Sequence, residues 1–370
     1  MFRSFSKTFF LGFMIVSLLA GICVFPVSGE ETTITDGLGR EVTVPLNPDS
    51  VICSGAGCLR YLTYLQAQDK VIAVDALEVN ISPDDSRAYR LANPQFGDLP
   101  IFGEFRKDDP EKITNIGPQV IFKTYTNKDE ANQLQEKTGI PVVALQYGDL
   151  VDEYEDMQKT LRLMGKILNK ENRAEEVISF FNERKKDLSD RTKDVPDADK
   201  ISAYVGGVGC AGSHGLQGTS FAYTPFQLVA VKNVAAESAK PDMDCGDVAK
   251  ESIIGWDPDM VFIDLGSQQL KSQGADALSE LKKPEFEDMK AVKNGDVYGL
   301  LSFNWYTTNQ ESVLADAYYI GKLLYPEKFS DIDPVSEADE IYEFLVGKKL
   351  FSQINRDGFE NLAFTKLSMQ

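Results

Sequence analysis

The chain has 370 residues, with 57 Asp or Glu against 38 Lys or Arg, a net charge of -19 and 43% hydrophobic residues. This composition is globular and long enough for two domains, which excludes a small disulfide scaffold and a disordered chain. The acidic balance also excludes a general affinity for nucleic acid or an anionic membrane surface, since both need clustered Lys and Arg.

Arg3 and Lys7 precede an unbroken apolar run from Phe9 to Phe25, closed by Pro26 and Ser28-Gly29. That is the three-part pattern of a secretory signal peptide, so residues 1–29 are read as an export signal and the mature protein as extracytoplasmic, periplasmic or at the cell surface. An uncleaved anchor is the competing reading, but the run falls short of the ~20 residues that cross a bilayer. Cys23, after Leu19-Ala20-Gly21-Ile22, is similar to a lipoprotein box except at Ile22. Cys53, Cys58, Cys210 and Cys245 follow, with no CxxC spacing, so a zinc site built on such pairs is excluded. Two bridges in any of three connectivities, or burial as small apolar thiols, remain open.

From Glu30 onward short β-branched runs alternate with helical patterns. Val51-Ile52-Cys53, Val71-Ile72-Ala73-Val74, Val120-Ile121-Phe122 and Val142-Val143-Ala144-Leu145 form a first series. Ile201-Ser202-Ala203-Tyr204-Val205, Val261-Phe262-Ile263 and Val297-Tyr298 form a second. Strands alternating with helices imply parallel sheets with crossover helices, hence an α/β fold of two Rossmann-like lobes. Between the series, Val151, Tyr154, Met157, Leu161, Met164 and Leu168 step along one helical face, and Ala174, Val177, Ile178, Phe181 and Leu188 along another. The expected division is an N-terminal lobe at 30–172, a single long connector helix at 173–193 and a C-terminal lobe at 194–370. A weak repeat at a constant offset of 140 supports it: Glu111 to Phe122 parallels Glu251 to Phe262, each a helix ending before Pro and leading into a strand.

Ligands of open α/β sheets bind beyond the carboxyl ends of strands, which selects the loops that follow them. Ser54-Gly55-Ala56-Gly57 follows the first strand and either offers backbone N–H groups to an anion or makes a tight turn; it lacks the full G-x-G-x-x-G spacing. Gly206 to Ser220 carries six glycines in 15 residues, among them Gly212 and Gly215, with hydroxyls at Ser213, Thr219, Ser220 and, just beyond, Tyr223. His214 is the only histidine in the chain, which excludes a three-histidine zinc site; no metal cluster is expected, and His214 is left to contact an oxyanion, coordinate a haem iron or serve as a plain hydrogen-bonding residue. Ala211-Gly212-Ser213-His214-Gly215 imitates a hydrolase elbow, yet no later histidine exists to act as base, so a Ser-His-Asp esterase is excluded. Tyr125, Tyr147, Asn304, Trp305 and Tyr306 lie at the other predicted strand ends, where aromatics either pack the core or stack on a ligand.

Thr33-Ile34-Thr35-Asp36-Gly37-Leu38-Gly39-Arg40-Glu41-Val42-Thr43-Val44-Pro45 resembles the opening of substrate-binding proteins that serve ABC importers of ferric siderophores, haem, corrinoids and related metal complexes. Val51-Ile52, the helix-Pro-strand unit in each half, Lys293-Asn294-Gly295-Asp296-Val297-Tyr298 and the connector helix extend the resemblance over nearly the whole mature chain. It implies two lobes around a ligand cleft, no catalytic turnover, no cofactor, and a monomer that docks on an ABC permease through one acidic residue per lobe. Glu111 stands at the N-lobe docking position. Lys232-Asn233-Val234 replaces the family's Gly-Gly-Glu-Asn, leaving Glu237 as the C-lobe candidate. The expected solute is a metal complex (ferric siderophore, haem or corrinoid), which would suit Trp305, Tyr125 and Tyr147. A molybdate or tungstate oxyanion, which suits the glycine-rich loops, is the alternative, and a secreted hydrolase the alternative from another class.

Overall fold

The computed structural model describes residues 30–79, 81–82, 85–210, 212, 214–239, 243–269 and 276–369. The export signal expected at 1–29 and Ser213 lie outside the described residues. β1 (Glu31–Thr35) and β2 (Glu41–Pro45) pair antiparallel around the turn that carries the opening motif. Asp36 holds this turn by accepting from Leu38 N (3.0 Å), Arg40 N (2.9 Å) and Ala144 N (3.1 Å) while pairing with Arg40 (2.8 Å). The motif thus fastens the N-terminal hairpin to the edge of the first sheet.

That sheet contains β3 (Val51–Ser54), β4 (Val71–Asp75), β5 (Ile101–Glu104), β6 (Lys107–Asp108), β7 (Val120–Lys123) and β8 (Val142–Ala144), in the order β6-β5-β4-β3-β7-β8. All neighbours are parallel except β5 and β6. In the second lobe β9 (Ser202–Gly206), β10 (Gly218–Ser220), β11 (Lys232–Asn233), β12 (Cys245–Asp247), β13 (Met260–Asp264) and β14 (Val297–Leu300) divide in two. The order β11-β9-β13-β14 is fully parallel, and β10 pairs with β12 in an antiparallel ribbon. Every strand expected from the apolar runs is present. β3 is buried along its whole length, as the interior of a sheet covered on both faces requires. In each sheet the first strand, β3 or β9, is flanked on one side by the next strand of the sheet and on the other by β7 or β13. Its carboxyl end is therefore the switch point where open α/β sheets bind ligands, and the two glycine-rich loops start there.

The helices Tyr154–Leu168 and Glu171–Thr192 bury the two apolar faces read from the sequence, parted by Asn169 in left-handed backbone (φ 56°). Glu171–Thr192 reaches from one lobe to the other. Near its start Arg173 donates to Tyr64 O (2.9 Å), and near its end Arg191 holds Asp331 (2.6 Å) and Lys328 O (2.7 Å). The C-terminal helices also return to this helix: Pro334–Val346 through Arg184–Glu337 (2.6 Å) and the stacked rings of Phe180 and Phe344 (4.1 Å), and Gln310–Leu324 through Tyr318, which donates to Asp187 (3.0 Å). One continuous core consequently takes residues from both sheets, including Val51, Phe122, Val205 and Ile263.

At the end of β13 Asp264 is buried, and its carboxylate accepts from Gly266 N (2.8 Å) and Phe303 N (3.0 Å). Burial raises its pKa to about 7, although both backbone bonds pull downward. Between about pH 4, where the unfolded carboxyl ionises, and pH 7, the folded chain keeps a proton that the unfolded chain has released. Stability is therefore expected to fall as pH rises through this window, with a slope of up to about 1.4 kcal/mol per pH unit, and to level above it. Urea unfolding of Asp264→Asn across pH 4–8 checks this: the variant should lose this component of the slope, and an unchanged slope would count against the assignment.

Candidate functional site

The N-lobe wall of the cleft grows from the ends of β3 and β7. Ser54 donates to Asp108 (2.6 Å) and accepts from Lys123 (3.0 Å), and Lys123 also pairs with Asp108 (2.6 Å), pinning the short edge strand β6 against the sheet. Gly55 and Gly57 both take positive φ (88° and 76°). A Cβ on Gly57 would come within 2.1 Å of the Tyr147 ring and 2.7 Å of the Thr307 methyl, so this turn, between β3 and the helix Cys58–Tyr64, needs glycine for close approach as well as for its backbone angle.

Across the cleft the lobes touch through polar side chains. Arg60 is fully buried and donates to Tyr147 Oη (2.6 Å), Thr308 O (2.8 Å) and Asn309 Oδ1; its Nε lies 3.4 Å from Glu311, which also accepts from Tyr64. Tyr147 lies flat on Tyr61 (4.6 Å) and donates to Thr308 O (2.7 Å). Tyr306 donates to Asp75 at the end of β4, and the Tyr125 and Thr307 hydroxyls bond to each other. Burial raises the pKa of Asp75, with the Tyr306 bond pulling the other way.

The C-lobe wall is the glycine-rich loop after β9. A disulfide, Cys210–Cys245, ties this loop to β12, whereas Cys53 and Cys58 are buried free thiols, which resolves the cysteine alternatives. The ring nitrogens of His214 face Asp247 Oδ1 and Cys210 O, each at 2.7 Å, so both already have partners in the loop's own anchorage. Gly215 lies against Glu280, which accepts from Leu216 N (2.9 Å), and Gly212 is in the same loop. Asn304 donates to Gly209 O (2.8 Å), joining the loop after β14 to the loop after β9. Trp305 is half-buried beside it. Tyr223 sits in the C-lobe interior, enclosed by Phe226 (4.9 Å) and Phe303 (5.1 Å), with its hydroxyl unpartnered. Among the described residues no group of three or more His, Cys, Asp or Glu is placed to hold a metal ion.

Sequence reasoning passed over Arg60, Asp75, Thr307 and the Phe105-Arg106 tip of the β5–β6 hairpin. That tip lies at the cleft mouth: Phe105 packs against Tyr306 (5.5 Å), and the Arg106 guanidinium sits over the rings of Phe105 (5.1 Å) and Tyr125 (5.9 Å). Arg106 has left-handed backbone (φ 55°) and, among the described residues, no ion pair. Gly103-Glu104-Phe105-Arg106-Lys107 holds no Asn-Gly or Asp-Gly signal, so no sequence rule marks this turn. Glu111 is exposed in the first turn of the helix Pro110–Ile116 and lines a surface recess of about 630 Å³ with Thr114, Asn115 and Lys137. Glu237 is exposed on the short 3-10 turn Ala236–Ser238.

Two mainly parallel α/β lobes that meet through polar side chains at their switch points, bound by one long helix, define a bilobal solute-binding protein. Residues 51–302 match the model of the periplasmic binding protein family, and the chain belongs to that family. It is 22% identical over 336 residues to the molybdate-binding protein MolA of Haemophilus influenzae, covering 84% of this chain and 89% of that protein. The solved structure of MolA bound to molybdate superposes with a TM-score of 0.68 at 19% identity, over 86% of this chain and 98% of that one. The triscatecholate siderophore-binding protein FeuA of Bacillus subtilis, complexed with ferri-bacillibactin, gives 0.58 at 17% identity, over 80% and 99%. Membership of the family implies an extracytoplasmic location.

Proposed function

We propose that the protein captures an anionic solute in the interlobe cleft and delivers it to an ABC importer, and that a small tetrahedral oxyanion, molybdate or tungstate, fits the cleft best. The observation that carries this reading is a cleft closed by direct bonds between lobes, with Arg106 at its mouth free of any carboxylate partner among the described residues in a chain of net charge -19. Such a cleft suits a small ligand held by hydroxyl, amide and guanidinium donors better than a bulky one. The likeness to the molybdate binder supports it. A metal complex, as a ferric siderophore, haem or corrinoid, is the second reading, favoured by the exposed rings of Phe105 and Tyr125 and the half-buried Trp305, which offer stacking surface to a flat or bulky chelate. Calorimetric titration with molybdate, tungstate, sulfate, a ferric catecholate, haem and cobalamin tests the assignment. Saturable binding of molybdate or tungstate is expected; binding of a chelate with none of either oxyanion would replace the first reading by the second.

On the same reading, residues 1–29 are the export signal, the lobes divide at 30–172 and 194–370, and the protein works as a monomer without turnover. Glu111 and Glu237 dock it on the permease, one from each lobe. Opposite charges steer association over the ~10 Å reach of unscreened fields, so Glu111→Gln with Glu237→Gln should slow permease association roughly tenfold at low salt and remove most of its salt dependence. Association kinetics with the permease in nanodiscs would show this, and unchanged rates would remove both residues from the interface.

A further inference from the structure

Besides Arg106, three non-glycine residues at the cleft adopt left-handed backbone: Tyr125 (φ 49°), Tyr306 (φ 58°) and Thr307 (φ 86°). For a β-branched residue such as Thr307 this is a genuine outlier, which persists only where its surroundings over-determine it. Here the surroundings belong to the opposite lobe. The Tyr125 hydroxyl bonds to Thr307 Oγ1, the Tyr306 hydroxyl donates to Asp75, and the Thr307 methyl rests against Gly57. At the base of the loop Trp305 N donates to Thr307 O (3.1 Å), and Asn304 bridges to Thr308. The strained segment therefore reaches across the cleft and occupies its mouth.

We infer that Tyr306 and Thr307 are specificity-determining residues: they latch the two lobes together over the binding cleft, and a solute too large to share that space must displace them. The inference rests on the cleft being the solute site but not on which solute it takes. Two side-chain hydrogen bonds at a half-exposed rim are opposed by backbone strain, so the latched and released states, between which the lobes rock about the buried Arg60 bonds to Thr308 and Asn309 that persist in both, lie close in free energy and modest differential affinity moves the balance. A small solute binds with the latch shut. A bulky one binds only the released fraction, and its apparent affinity is lowered by that fraction. The latch thus sets the size class of solute that the cleft admits.

The test begins without any ligand. Spin labels at Lys137→Cys and Lys283→Cys, exposed positions in opposite lobes, report the interlobe distance distribution in the full chain. Tyr306→Phe with Thr307→Val removes both latch bonds and no core side chain, and should broaden the distribution and move it to longer distances. Each single variant should do so partly, and Thr307→Ser, which keeps the hydroxyl, should resemble the parent. A distribution for the double variant that superposes on the parent's would overturn the latch. With ferric tris-catecholate and molybdate as probes, the double variant should gain tenfold or more in affinity for the former and less than threefold for the latter. Equal gains for both would overturn the size-selecting role. If neither probe binds parent or variant, the proposed solutes fail while the distance measurement still decides the latch.

Discussion

Replacing Arg60 by methionine is expected to destabilise the protein by about 3–5 kcal/mol, the range seen when one partner of a buried ionic pair is removed. The side chain is fully buried and its guanidinium donates to Tyr147, Thr308 O and Asn309, three groups that would lose this donor together, leaving Thr308 O with the Tyr147 hydroxyl alone. Glu311 would remain buried with only Tyr64 to compensate it, and one of its oxygens is already unpartnered. Leaving a charge in that state costs more than the pair itself contributes, because an unpaired carboxylate forfeits its hydration. Urea unfolding measures the loss, and Arg60→Met combined with Glu311→Gln should recover part of it. A single-variant loss below about 1 kcal/mol would mean that water reaches the site and that the network is not a sealed link between the lobes.

Charge reversal at Arg106 is the second large effect expected, this time on binding with stability nearly unchanged. The side chain is exposed and makes only ring contacts among the described residues, so Arg106→Glu removes no buried bond. A charged hydrogen bond contributes about 1.5–3 kcal/mol, so affinity for molybdate should fall roughly 10- to 150-fold, and Arg106→Lys should retain part of it. Calorimetry at fixed ionic strength reads this directly. Binding that survives Arg106→Glu would shift the anion contact to the loops after β3 and β9.

The lobes were legible because burial imposes a period on the sequence, and the family because the Thr33 to Pro45 opening resembles that of its members. Val51-Ile52-Cys53 and Val261-Phe262-Ile263 read as strands since both faces of a parallel sheet are covered, and Ala174 to Leu188 as a helix since one stripe of it meets the core. The switch-point rule then pointed to the loops at Ser54 and Gly206, which follow the carboxyl ends of β3 and β9. The ribbon β10–β12 and the β5–β6 hairpin carry no such signal: Gly218-Thr219-Ser220, Cys245-Gly246-Asp247 and Lys107-Asp108 hold no apolar run, and in β5 the run ends after Phe102 at Gly103-Glu104.

By itself, then, the sequence determined the fold class, the connector helix, the parallel strands and the loops that follow their carboxyl ends, all of which depend on local spacing of apolar and turn-forming residues. Only the tertiary structure decided which side chains meet there. Arg60 and Glu311 stand 251 positions apart in kind as well as place, one on a short N-lobe helix and one on a C-terminal helix, and nothing near either predicts that they share a buried pair. Tyr223, expected at the ligand, is enclosed by Phe226 and Phe303, while Tyr306 crosses to Asp75 of the other lobe. Contacts between residues far apart in the chain are set by how two packed lobes are oriented, and that orientation leaves no periodic trace in the residues it joins.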